Sequence, residues 1–68
     1  MKELTERQSE ILQYIIDYKS VNQYSPAIRD IACRFGIDIK AAYDHVTAIE
    51  RKGHIERDAR ISRGIRVV

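Results

Sequence analysis

Apolar residues recur at helical spacing over three segments of this 68-residue chain, then switch to alternation near its end. Ile11, Leu12, Ile15 and Ile16 form an apolar stripe that predicts an amphipathic helix, with Gln13, Asp17 and Ser20 turned to water. Thr5-Glu6-Arg7-Gln8 reads as its start. Thr5 can cap, Gln8 three residues later completes a capping box, and Glu6 sits where the helix dipole favours an anion. The helix is expected to run to about Val21. Pro26 lacks an N–H and pushes Ser25 out of helical conformation, so residues 22–26 connect, with Tyr24 expected to cover one end of the core.

A second helix is predicted over about Ala27 to Phe35, with Ile28, Ile31, Ala32 and Phe35 inward and Arg29, Asp30 and Arg34 outward. Gly36 supplies the left-handed conformation that ends it, Ile37 is a plug, and Asp38 is the N-cap of a third helix over Ile39–Lys52. Two short helices joined by a three- or four-residue turn containing Gly form a helix-turn-helix pattern, and small Ala32 suits a close crossing near the turn. On the third helix, Ala42, His45, Val46 and Ile49 fall on one side and Lys40, Tyr43, Asp44, Thr47 and Arg51 on the other. The first side is core. The second offers an ammonium, a phenol, a carboxylate, a hydroxyl and a guanidinium, groups that match phosphates and the donor and acceptor pattern of a major groove.

Beyond Gly53 the period becomes two. His54-Ile55-Glu56-Arg57 and Ile65-Arg66-Val67-Val68 alternate apolar with polar, and Asp58 to Gly64 can turn the chain between them. Ile55, Ile65 and Val67 are expected to face the helices, and Arg57, Arg60, Arg63 and Arg66 to line the rim and tip. The predicted fold is mainly α (α+β): a three-helix winged helix-turn-helix with a C-terminal two-stranded β-hairpin wing, forming one domain over residues 1–68.

Charge strengthens that picture. The net charge is only +2, but residues 51–68 carry six basic side chains against two acidic ones, whereas residues 1–50 carry six against eight. A positive surface at one end of a domain suits a polyanion. With 44% hydrophobic and 32% charged residues, the chain reads as folded and helix-rich. A domain this small buries only about 60% of the surface its unfolded chain exposes, so the core must be compact. No apolar run reaches the roughly 20 residues of a membrane span, and MKELTERQ has no signal-peptide apolar region, so a cytoplasmic location is expected. One cysteine, Cys33, excludes an internal disulfide. With His45 and His54 it has no zinc-site spacing and no nucleophile–base pairing, so neither metal nor cofactor nor catalysis is expected.

LTERQ, IACRFG, AAYDH, AIERKGHIER and SRGIR, in this order and spacing, resemble the N-terminal DNA-binding domain of the LexA repressor family from end to end. The resemblance implies a third helix in the major groove, a wing against the backbone, and repression of DNA-damage (SOS) response genes. By position it implies operator-base contacts from Asp38, Lys40, Ala41, Tyr43 and Asp44, with Arg63 in the wing. Thr47 joins the base-reading set on the residue pattern, and Arg51, Lys52, Arg60 and Arg63 form the expected backbone-contact set. The expected partner is double-stranded DNA with a palindromic operator. In that family a second, self-cleaving serine peptidase domain with a Ser/Lys dyad supplies dimerisation. Homodimerisation, and contact with a RecA-type filament, are therefore expected only where such a domain exists, and these 68 residues alone are compatible with a monomer. Two other readings stay open on the residues: a winged helix that binds a protein surface, and a replication or phage regulator unconnected with DNA damage.

Overall fold

A computed structural model describes residues 2–58, 60, 61 and 63–68. The elements are α1 (Glu6–Asn22), α2 (Ile28–Phe35), α3 (Ile39–Arg51), β1 (Ile55–Arg57) and β2 (Ile65–Val67). No helix among the described residues is long and apolar enough to cross a membrane.

The capping box at the start of α1 forms as the sequence predicts. The Gln8 N–H donates to Thr5 Oγ1 (3.2 Å), and the Thr5 N–H donates to Gln8 Oε1 (3.1 Å). The apolar stripe is narrower than expected. Ile11 and Ile15 are fully buried, Leu12 is half-buried, and Ile16 is 40% exposed. Successive residues on a helix are rotated by about 100°, so in a domain with few layers the neighbour of a buried residue leans outward. Tyr24 also departs from expectation: it is exposed, beside Tyr18 and under an arginine, and does not cover the core.

Helix α2 ends at Gly36, whose φ of 65° lies in the left-handed region. The Ile37 N–H then reaches back to the Ala32 carbonyl (3.0 Å), the long bond of a Schellman turn, and Ile37 packs against the core as a plug. Asp38 caps α3, its Oδ1 accepting from the Ala41 N–H at 2.7 Å. Ala32 and Ala42 are both buried, which lets the two helices approach closely around this turn. The core joins Ile11 and Ile15 of α1, Ile31 of α2, Val46 and Ile49 of α3, and Ile55 and Ile65 of the hairpin.

The strands pair antiparallel as Ile55 with Val67, Glu56 with Arg66 and Arg57 with Ile65. Two expectations fail here. Val67 shares the inner face but is 41% exposed, whereas Ile55, paired with it, is buried. Arg57 is not on the rim: strand parity puts it on the helix-facing side with Ile55 and Ile65. The expected turn between the strands includes positions 59 and 62, which lie outside the described residues.

Candidate nucleic-acid interface

Helix α3 exposes Lys40, Tyr43, Asp44 and Arg51 along one side while Ala42, Val46 and Ile49 are fully buried on the other. His45 is half-buried at the margin. Lys40 and Asp44, one turn apart, form an exposed ion pair at 3.2 Å. Such a pair adds little to stability in water, so both groups can exchange partners at small cost. Ala41 and Asp38 stand at the helix entrance, where the Asp38 carboxylate is occupied by its capping bond and orients the first turn. Thr47 is half-buried between this open row and the row that faces the wing.

The basic residues expected on phosphates divide into two groups. Arg51 is exposed, and Arg60 projects with 89% of its side chain accessible while its Nε and backbone N–H hold Asp58 Oδ1 (3.2 and 3.0 Å). The Arg60 N–H also keeps the Asp58 carboxyl below the usual carboxylate range. Arg66 is exposed and paired with Glu56 across the strands at 2.6 Å. Lys52 and Arg63, by contrast, are engaged within the fold. Lys52 Nζ donates to Gln8 Oε1 at 2.6 Å, which joins the end of α3 to the capping box of α1.

Arg63 holds the wing to the helices. Its guanidinium pairs with Asp30 (3.0 Å), donates to the Tyr18 hydroxyl (3.2 Å) and the Ser25 carbonyl (3.0 Å), and lies 4.8 Å from the Tyr24 ring centroid. In return the buried Ser25 hydroxyl donates to the Arg63 carbonyl at 2.6 Å. A phosphate contact from this side chain requires it to release these partners. Basic composition alone did not distinguish Arg63 from Arg60, since the partners come from α1 and the connector.

Asp30 sits at the centre of this knot and makes the domain acid-sensitive. Its carboxyl is held below the usual range first by the Ala27 N–H, with burial opposing and the Arg63 guanidinium adding to the depression. A depressed folded-state pKa contributes stability that is fully present above the unfolded value of about 3.9 and is lost as pH falls through the folded value. Asp30→Asn is therefore expected to lower stability by about 1 kcal/mol at neutral pH, the scale of a part-exposed pair. The difference from the parent should shrink as pH falls below that unfolded value. Urea unfolding across that window measures it, and a constant difference at every pH would contradict the assignment.

Two residues take places that the residue patterns did not assign to them. Lys2 lies beside Tyr43, Asp44, Thr47 and Arg51 along one shallow groove. It is anchored there because its N–H donates to the Lys52 carbonyl (3.3 Å) and its own carbonyl contacts the His54 ring (2.7 Å). Arg57 is the other, and the alternation of β1 was signal enough to place it inward. Among the described residues no group of three or more His, Cys, Asp or Glu is gathered as a metal site.

The family model described as the LexA DNA binding domain matches residues 1–64. The chain is 48% identical over its whole length to the LexA repressor of Thermosipho africanus and 47% identical to that of Leptospira biflexa. It is 43% identical over 67 residues to the LexA repressor of Thermotoga maritima. In each case it spans 34% of the relative's length.

Proposed function

The chain belongs to the LexA DNA-binding domain family, and from that premise we propose that it binds double-stranded DNA sequence-specifically and represses transcription in an SOS-type damage response. Helix α3 enters the major groove, and the wing lies along the backbone. The observation that carries this reading is the open face of α3, where Lys40, Tyr43, Asp44 and Arg51 are exposed over a fully buried opposite side. Tyr43, Asp44 and Thr47 supply most of the sequence choice. Asp38 and Ala41 contribute at the helix entrance, Asp38 chiefly through the orientation its cap imposes.

Affinity comes from Lys40, Arg51 and Arg60, joined by Lys2, whereas Lys52 and Arg63 act mainly by holding the surface in shape. A palindromic operator, pairing of two copies through a further domain, contact of that longer protein with a RecA-type filament, and a cytoplasmic location belong to the same reading.

Salt dependence tests it directly. With about three of these four cations on phosphates at once, log affinity falls with log salt at a slope of about −2.7. Raising monovalent salt from about 50 to 200 mM should then weaken duplex binding by roughly 40-fold. Fluorescence anisotropy on a labelled random duplex measures this. A flat response, or no competition by unlabelled duplex, would favour a protein-binding role for the same face.

A further inference from the structure

Arg57 of the wing turns inward, and its hydrogen-bond, ion-pair and ring partners are all on α3. Its Nε and Nη2 both contact Glu50 Oε1 at 3.0 Å, its Nη2 donates to Thr47 Oγ1 at 3.1 Å, and its guanidinium carbon lies 5.0 Å from the centroid of the Tyr43 ring. Tyr43, Thr47 and Glu50 follow one another at i, i+4 and i+7, so a single planar group spans two turns of one helical row. The side chain is 19% exposed, which removes it from the set that water or phosphate reaches freely.

We propose that Arg57 is a specificity-positioning residue: it fixes the Tyr43 ring and the Thr47 hydroxyl in their DNA-facing orientations without itself touching DNA. The inference rests on the DNA-reading assignment of α3 and adds to it which residue sets the geometry of the reading face. Tyr43 is 51% exposed and, without a flat partner behind it, would exchange rotamers freely at the surface. The guanidinium stack supplies that partner. Thr47 gains a direction as well. Its oxygen accepts from Arg57 on the wing side, so its O–H is left to donate outward, towards the groove shared by Asp44 and Arg51. A hydroxyl held this way favours an acceptor on a base edge, such as a purine N7 or a thymine O4, over the cytosine amino group. Because Glu50 neutralises Arg57, the clamp contributes geometry and little net charge to the DNA-facing surface.

The experiment begins with selection of bound duplexes from a random pool using the 68-residue chain. The affinity ratio of the selected to a scrambled duplex is then measured for the parent, Arg57→Met, Thr47→Val and the double variant. The ratio cancels the electrostatic contribution common to all sequences, including the charge removed with Arg57. Arg57→Met is expected to reduce the ratio about tenfold, within the range of one lost base contact. Thr47→Val should reduce it by no more than that, and the double variant should lose no more than Arg57→Met alone, since the Thr47 hydroxyl is one of the two groups that Arg57 holds. Arg57→Lys provides the fold-preserving case. It keeps a cation beside Glu50 but loses the planar face and the fork that spans two acceptors, so the ratio should still fall.

A parent-like ratio in Arg57→Lys or in folded Arg57→Met would overturn the inference, as would losses that multiply in the double variant. If the parent itself selects no sequence, the DNA-reading assignment fails and takes this inference with it, an outcome visible before any variant is compared.

Discussion

Ile49→Ala is expected to lower the free energy of unfolding by about 3–4 kcal/mol, within the range for a buried isoleucine cut back to Ala. Ile49 is fully buried on the inner side of α3 and belongs to the cluster that joins α1, α2 and the hairpin. At roughly 0.05–0.15 kcal/mol per residue, a chain of this length has only about 3–10 kcal/mol of stability in all. The substitution should therefore remove a large part of it, with a drop in Tm of more than about 12 °C. Urea and thermal unfolding would show this, and DNA binding should decline only as the folded fraction declines. A loss under about 1 kcal/mol would mean that the contacts across α3 do not hold the domain together.

Gly64→Ala should be nearly as damaging, for a reason rooted in the backbone. A Cβ at this position would lie 2.6 Å from the Asp58 carbonyl oxygen and 2.9 Å from Ile61 Cγ1. The first of these atoms cannot move independently, because the Asp58 N–H donates to the Gly64 carbonyl at 3.0 Å and closes the base of the wing. Relieving the overlap opens that closure, with an expected loss of about 2–3 kcal/mol, typical of overpacking against atoms that cannot yield. The Arg63 knot and the inward set of Arg57 follow the wing, so duplex affinity should fall together with stability. Retained stability with parent-like binding would show that the turn has another conformation open to it.

Much of the architecture was legible because it depends on neighbours along the chain. The Thr5/Gln8 box, the Gly36 stop and the Asp38 cap are each decided within a few residues, where spacing and side-chain chemistry suffice. The buried side of α3 was equally plain, since a period of 3.6 singles out Ala42, Val46 and Ile49. Ile16 shows where that logic ends. Periodicity marks a face as apolar, but the width of the partner surface decides how much of the face is covered.

The candidate site divides in the same way. That α3 carries polar, hydrogen-bonding groups opposite a core stripe, and that cations gather after residue 50, are properties of the sequence alone. Which cations are available to a polyanion is not. Arg60 and Arg63 are three residues apart in a basic stretch, yet one projects into water and the other is clamped by Asp30, Tyr18 and Ser25. Lys52 is taken by Gln8 and Arg57 by Glu50 and Thr47, partners 44, 7 and 10 positions away.

Helix limits, caps, the hairpin and the side of α3 that faces out were thus determined by the sequence, because local backbone preference and hydrophobic period need no distant partner. Tertiary structure alone decided which arginines and lysines remain free and which hold Tyr43 and the wing in place. An ion pair or stack needs its two groups within a few ångströms, and only the packed chain brings residues so far apart in sequence to that distance.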